Sequence, residues 1–318
     1  MNWQDIQAAA VIGTGMMGPG IALTLAIGGL RATIVSRSSD SAEAGLVKAR
    51  KQAQSLREYE LLAADETDRV LARLSASANL EEAAAPADIV IESAPENMEF
   101  KKDLFARLDA MTRADAVLAS NTSGLSITEI ASRCRFPERV LTTHFWNPPY
   151  IMPLVEIVLG QRTDRAIAEA VRALLAHCGK TPVIVKKDTP GQLGNRLQMA
   201  LVREAIHIVE EGIADPEDVD LATMTGFGLR LPVYGIFEHQ DIVGLDLGMG
   251  VLDYVSQDLC NHRGTPRITR EMMERGEFGV KSGKGFYDWS KKDADTVKAR
   301  RDRFVLGFLR SQRLPPST

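Results

Sequence analysis

The stretch AAAVIGTGMMGPGIALTLAIGG, residues 8–29, decides the fold. Its first five residues, Ala8 to Ile12, are small and apolar and read as a buried strand. Residues 18–27 read as a helix, and the pair Gly28-Gly29 reads as its stop. Between them lies Gly13-Thr14-Gly15-Met16-Met17-Gly18, a GxGxxG loop in its expected setting between strand and helix. Gly13 permits the tight turn, Gly15 lets the backbone approach a pyrophosphate, and Gly18 lets helix and strand pack closely. The free N–H groups and positive dipole end of the helix then suit phosphates. The loop, with Met16 and Met17, is a candidate dinucleotide cradle.

Moving outward, Ala32 to Val35 reads as a second strand, and Ser36-Arg37-Ser38-Ser39 follows it. An NAD site usually has an Asp or Glu here to hold the adenosine ribose. A carboxylate would repel a 2′-phosphate, whereas Ser hydroxyls and an Arg guanidinium would attract one. The residues therefore favour NADP over NAD. An Arg37 that faces solvent, with Ser36 alone on the ribose, would leave NAD instead.

Residues 41–73 are charged, with helical spacing and almost no breakers. Further short apolar runs at residues 89–91, 117–119, 140–142 and 155–158 read as strands, with helical segments such as 100–111 between several of them. Residues 183–185 suit a last edge strand. This alternation predicts an α/β Rossmann-type, doubly wound parallel sheet. After Lys186-Lys187 the texture changes. KKDTPGQLGN is a turn cluster, and the remainder reads as helices joined by Gly-rich bends. The expected division is a dinucleotide-binding domain at 1–187 and an all-α domain at 188–318. The charged tail, residues 291–313, reads as a helix with apolar Val297, Phe304, Val305 and Phe308, packed on the body or on a partner subunit.

The bulk numbers agree. A chain of 318 residues suits two domains. Its apolar fraction of 45% and charged fraction of 25% are ordinary for a globular protein. A net charge of −4 argues against a nucleic-acid surface. Cys134, Cys178 and Cys260 form no CxxC pair, and an odd number excludes a complete disulfide framework. The first residues resemble neither a signal nor a transit peptide, and the run IALTLAIGGL is about half a membrane span. The expectation is a reduced, cytoplasmic protein with no membrane partner and no metal.

Four segments carry polar residues in apolar settings: SNTSGLSI from Ser120, HFWNPP from His144, PLVEIV from Pro153 and PGQLGNRLQ from Pro190. Ligands of open α/β sheets sit at the carboxyl ends of strands. Glu156, inside a Leu-Val-Glu-Ile-Val strand, should be costly unless partnered. His144 is its natural partner, because a carboxylate on one imidazole nitrogen fixes the tautomer and supports the cation formed when the other takes a proton.

In this order, and with the ending FGVKSGKGFY from Phe278, these motifs resemble the L-3-hydroxyacyl-CoA dehydrogenase family over roughly residues 11–287. The resemblance implies a Rossmann domain, an all-helical C-terminal domain through which the protein forms a homodimer, and hydride transfer between carbon 3 of a hydroxyacyl substrate and NAD(P). By position it implies His144 as general base, Glu156 as its paired carboxylate, and Ser123 and Asn195 on the substrate oxygen. Glu96, Lys101, Ser123 and Asn147 fall where the family contacts ribose and nicotinamide.

Ser55 matches a position that contacts the pantetheine–phosphate arm of CoA. The Lys expected one helical face further on is Leu62. The stretch GFGLRLP from Gly226 and the run Asn147-Pro148-Pro149-Tyr150 are more similar to the branch that includes L-gulonate 3-dehydrogenase, lambda-crystallin and carnitine dehydrogenase. There Arg230 would meet a free carboxylate. Glu238, Asp241 and Val243 to Asp246 resemble the acyl-CoA branch again. Three readings follow: an acyl-CoA dehydrogenase, a dehydrogenase of a small free hydroxy acid or hydroxyamine, and a crystallin-like binding protein without turnover. The buried acid–base pair argues against the third.

Overall fold

The computed structural model describes residues 2–313. Strand β1 (Ala8–Ile12) is followed by helix α1 (Gly18–Ile27), β2 (Arg31–Val35), α2 (Ser39–Glu58), α3 (Ala64–Ala72), β3 (Leu74–Ser77), α4 (Leu80–Ala84) and β4 (Ile89–Glu92). Then come α5 (Met98–Met111), β5 (Val117–Ser120), α6 (Ile127–Ile130), β6 (Val140–Phe145), β7 (Leu154–Leu159), α7 (Arg165–His177) and β8 (Thr181–Val185). The eight strands form one sheet in the order β3-β2-β1-β4-β5-β6-β7-β8. Every neighbouring pair is parallel except β6 and β7. The chain reverses its direction of winding between β1 and β4, and the crevice above that switch is where such sheets bind ligands. Two apolar clusters cover the sheet, one including Ile21, Leu23, Leu25 and Val171, the other Phe105, Leu108, Ile127 and Ile130.

The chain continues with α8 (Gly194–Glu210), α9 (Pro216–Thr225), α10 (Phe227–Arg230), α11 (Ile236–Val243), α12 (Leu245–Val255), α13 (Arg267–Glu274) and α14 (Ala294–Arg313). The chain divides into two units by internal contact. One runs to Arg196 and takes in the chain again from Arg300; the other is Leu197–Ala299. The division falls inside α8, beyond the expected break after Lys187, because residues 188–195 remain tied to the sheet. Asp188 accepts hydrogen bonds from Ser126 Oγ at 2.5 Å and Thr128 N–H at 2.9 Å. The tail helix returns to the first unit through Leu306, which is buried, with Val305 and Leu309 beside it, and Arg310 pairs with Glu60. Phe304 is exposed on this chain. In the second unit, Tyr287 donates a hydrogen bond to Asp220 at 2.6 Å.

Three features of the sheet unit were not read from the sequence. Residues 41–73 fall into two helices: Glu60 adopts a left-handed φ of 58°, and the chain turns so that Leu61 and Leu62 enter the core. Strand β3 was not expected, because Leu-Ser-Ala-Ser is short and half polar. It is an edge strand that pairs only with β2. The doubly wound sheet is mostly parallel, as expected, with one antiparallel pair. Separate apolar runs do not reveal strand direction, and β6 and β7 are joined by a short turn rather than a helix, which makes them antiparallel.

The glycine loop separates two demands. A Cβ on Gly18 would stand 1.9 Å from the carbonyl oxygen of Gly13, whereas a Cβ on Gly15 would meet nothing within 4 Å. Gly18→Ala should therefore destabilise the fold by about 1–3 kcal/mol, the usual cost of overpacking. Gly15→Ala should leave the melting temperature nearly unchanged. Thermal denaturation of both variants checks this; equal loss in the two would contradict it.

Candidate active site

The site is built on the β6–β7 hairpin. Its register sets His144 directly opposite Glu156, so the two side chains emerge on the same face of the sheet. His144 Nδ1 lies 2.8 Å from Glu156 Oε2, and both residues are buried. Glu156 accepts three further hydrogen bonds. Trp146 Nε1 donates to Oε2 at 3.0 Å, while Leu193 N–H and Gly194 N–H donate to Oε1 at 2.9 and 2.8 Å. Burial alone would push this carboxyl up. The bonds from His144, Gly194, Trp146 and Leu193 outweigh burial and hold it at about 2. Glu156 is therefore ionised at neutral pH and can only accept. The proton of the shared bond sits on His144 Nδ1, leaving Nε2 with its lone pair.

The next layer is the loop after β5. Ser123 N–H donates to Glu96 Oε1 at 2.8 Å and Ser123 Oγ approaches the same oxygen at 3.3 Å. Thr122 Oγ1 is 2.9 Å from both Glu96 oxygens. Asn195 Nδ2 donates to the Ser123 carbonyl at 3.1 Å, which ties the start of α8 to this loop. Gln192 Nε2 donates to the Thr122 carbonyl at 2.9 Å. Ser123 and Asn195 are thus brought together as the motifs suggested. Glu96 faces the serine loop.

Lys101 is more deeply placed than a ligand-contacting residue. Only 1% of its side chain is exposed, and its ammonium lies 2.6 and 2.8 Å from the two oxygens of Glu92 at the end of β4. Ser120 Oγ donates to the same carboxylate at 2.6 Å, and Lys101 lies 3.5 Å from Glu96. The sequence reading missed Glu92, Asn121, Trp146 and Gln192. Asn121 accepts from Phe145 N–H at 2.9 Å and so joins the ends of β5 and β6. A buried acid at the end of an apolar strand was the available signal for Glu92, and it is the signal that picked out Glu156.

At the other end, Gly13 follows β1 with φ +117°, and a Cβ there would lie 2.4 Å from the Ser93 carbonyl after β4. The space in front of Gly15 is open, and Met16 is exposed. Ser36 Oγ donates to Ser41 Oγ at 2.8 Å, and Thr14 Oγ1 is 2.9 Å from that same hydroxyl. A chain of hydroxyls thus stands where a carboxylate was looked for. Lys48 donates to the Thr14 carbonyl at 3.0 Å. Arg37 is exposed and makes no hydrogen bond or ion pair among the described residues.

One expected substrate contact, and the position where a lysine was looked for, look different in the structure. Ser55 is half-buried near the end of α2, where its hydroxyl interacts with Tyr150. Leu62 is a core residue in the turn after α2, not on a helical face, so a lysine was expected at a position that the fold buries. Asn147 is exposed at the tip of the hairpin, and Arg230 is exposed at the end of α10 in the second unit. Burial pushes the thiols of Cys134 and Cys178 up to about 12, as befits structural cysteines. No helix among the described residues is long and apolar enough to cross a membrane.

Known proteins resemble this chain in sequence and fold. Residues 8–189 match the family described as 3-hydroxyacyl-CoA dehydrogenase, NAD binding domain, and residues 191–289 match its C-terminal domain. The chain is 34% identical to 5-formyl-3-hydroxy-2-methylpyridine 4-carboxylate 5-dehydrogenase of Mesorhizobium japonicum, covering 96% of this chain and 98% of that one. It is 38% identical to a probable 3-hydroxybutyryl-CoA dehydrogenase of Bacillus subtilis, covering 91% and 99%. It is 35% identical to L-carnitine dehydrogenase of Streptomyces griseus, covering 99% and 92%. Among solved structures, a 5-formyl-3-hydroxy-2-methylpyridine 4-carboxylic acid 5-dehydrogenase, described as an NAD+ dependent dismutase, superposes with a TM-score of 0.88 at 32% identity, covering 96% and 98%. A (S)-3-hydroxybutyryl-CoA dehydrogenase from Ralstonia eutropha gives 0.74 at 32%, covering 89% and 99%. A Rossmann sheet with a hairpin-borne His–Glu pair, matched over both family regions, makes this chain a member of the 3-hydroxyacyl-CoA dehydrogenase family of oxidoreductases.

Proposed function

We propose that His144 is the general base and acid of a 3-hydroxyacyl-CoA dehydrogenase-type reaction, with Glu156 as its counter-charge. The observation that carries this is the 2.8 Å bond from His144 Nδ1–H to a carboxylate held ionised at about 2. It leaves Nε2 as the acceptor. In the oxidation direction His144 Nε2 takes the proton of the substrate hydroxyl, and the imidazolium so formed is stabilised by Glu156. In reduction Nε2 returns that proton. Ser123 and Asn195 would hold the substrate oxygen near Nε2, with Glu96 and the buried Lys101–Glu92 pair fixing the Ser123 loop.

The glycine loop fits a dinucleotide: nothing in the protein fills the space at Gly15, and the first turn of α1 offers free N–H groups. The bound nicotinamide supplies the hydride acceptor or donor at carbon 3. Ser36, Arg37 and Ser41 would contact the adenosine ribose, and Asn147 the nicotinamide side. Without a carboxylate at Ser36, and with Arg37 unpaired, NADP(H) is the favoured cofactor.

A second reading concerns the substrate. The half-buried Ser55 and the buried Leu62 leave this segment short of polar groups for the CoA arm. A small free hydroxy acid therefore competes with a hydroxyacyl-CoA, and Arg230 would serve its carboxylate. The near full-length similarity to the carnitine and pyridine carboxylate dehydrogenases supports this alternative. We also propose a homodimer through residues beyond Asp188, where Phe227, Leu229 and Leu231 are exposed. Light scattering at micromolar concentration should give twice the chain mass; an active monomer refutes it.

His144→Gln should lower turnover about a hundredfold or more while cofactor binding changes little. Near-normal turnover in a folded variant would sink the assignment. Because the Glu156 carboxyl lies below its ordinary value of 4.5, its contribution to stability is complete above about 4.5 and fades as pH falls toward 2. Glu156→Gln should accordingly be impaired in turnover and lose less stability than the wild type on acidification, as read by denaturation at several pH values.

A panel of acyl-CoAs and free 3-hydroxy acids, each with both cofactors, separates the substrate readings. Oxidation of a free acid without any reduction of acetoacetyl-CoA selects the second. In the same assay Arg37→Ala should weaken NADP(H) by about ten- to a hundredfold, the weight of one charge-assisted contact. Tighter NADH binding that Arg37→Ala leaves unchanged would overturn the cofactor assignment.

A further inference from the structure

We infer that Trp146 is a positioning residue that tunes the His144–Glu156 pair, and that glycine at position 194 exists to admit its indole. The inference rests on the reading of His144 as general base. Trp146 follows β6 directly, two residues after His144. Its Nε1–H donates to Glu156 Oε2 at 3.0 Å, the same oxygen that takes His144 Nδ1–H at 2.8 Å. Its ring centroid lies 5.8 Å from that of the imidazole, tilted by 47°. The indole is therefore bonded to one member of the pair and flanks the other.

Position 194 faces this indole. A Cβ on Gly194 would stand 2.4 Å from Trp146 Cζ2 and 3.3 Å from Glu156 Oε2. Both atoms belong to this small assembly, so any side chain at 194 must push the indole off the carboxylate or drive α8 away from the hairpin. The Gly194 N–H is meanwhile bonded to Glu156 Oε1 at 2.8 Å, and Leu193 N–H to the same oxygen at 2.9 Å. Four donors thus clasp the carboxylate: two backbone groups on one oxygen, an imidazole and an indole on the other. This fixes the plane of the carboxylate and fills its acceptor sites.

The chemical consequence follows from sharing Oε2. An oxygen that accepts from the indole has less charge to offer Nδ1–H. Removing the indole N–H should strengthen the pull of Glu156 on the imidazole, favour imidazolium and raise the pH at which His144 deprotonates. The groups that face this centre are His144 from β6, Glu156 from β7, the two N–H groups at the start of α8, and the indole. Among the described residues, no other ionisable side chain is hydrogen-bonded or ion-paired to His144 or Glu156.

The test is the titration of His144 in the full chain, followed by nitrogen NMR, with the His144→Gln spectrum assigning the resonance. Trp146→Phe keeps an aromatic ring and removes the N–H. Its His144 midpoint should rise by about half a unit or more. The acid limb of the kcat–pH profile should move the same way, with KM for the cofactor unchanged. An unmoved midpoint in folded Trp146→Phe overturns the inference. Gly194→Ala should perturb the midpoint and kcat in the wild-type background and do so much less beside Trp146→Phe; equal damage in both backgrounds overturns the role given to glycine. The NMR readout does not depend on turnover. An active His144→Gln would therefore defeat the general-base reading separately from the tuning by Trp146.

Discussion

Glu156 carries a full charge in the middle of a strand with no exposed surface, and the centre is organised around what that requires. An isolated ion in such surroundings costs many kcal/mol, so it persists only if hydrogen-bonded and paired. The hairpin meets the condition by register. Antiparallel pairing puts His144 across from Glu156, and the turn between the strands returns Trp146 to the same carboxylate. The start of α8 supplies two backbone donors. Satisfying one carboxylate therefore fixes the hairpin, the imidazole tautomer and the first residue of α8 at once.

The same solution recurs at the end of β4. Glu92 is buried and takes bonds from Lys101, Ser120 and Ala94 N–H. Lys101 lies within 3.5 Å of Glu96 as well, and Glu96 in turn holds the Ser123 loop. Two buried carboxylates on different strands thus govern the two loops that converge on the site. Another buried charge, Arg139, pairs with Asp109 at 2.8 Å and donates to the carbonyls of Asp109 in α5 and of Ala116 just before β5. It fixes the entry into β6, the strand that carries His144.

The nucleotide end follows a different rule. There the requirement is closeness of backbone, not satisfaction of charge. Gly13 and Gly18 are demanded by the protein itself, since a Cβ at either would collide with a backbone carbonyl. Gly15 answers to no protein atom, so its lack of a side chain is meaningful only for something outside the chain. The run of hydroxyls from Ser36 through Ser41 to Thr14 leaves the end of β2 polar but uncharged.

The sequence by itself determined the strand–loop–helix unit at residues 8–29 and most of the sheet, because strong apolar runs bounded by glycine leave few alternatives. It also singled out Glu156, since a charge in an apolar strand is anomalous whatever the fold, and His144 as its partner. It did not determine strand direction, so the hairpin that makes these two residues neighbours was invisible. Nor did it foresee that a left-handed Glu60 ends α2 and sends Leu62 into the core rather than along a helical face. Lys101 and Ser55 were chosen by position in a motif, and only the tertiary structure decided that their polar groups are engaged with Glu92 and Tyr150. The physical reason is common to all of these. Local patterning records whether a residue is buried, but which donor meets which acceptor depends on register and loop path, and these are set by contacts distant in the chain.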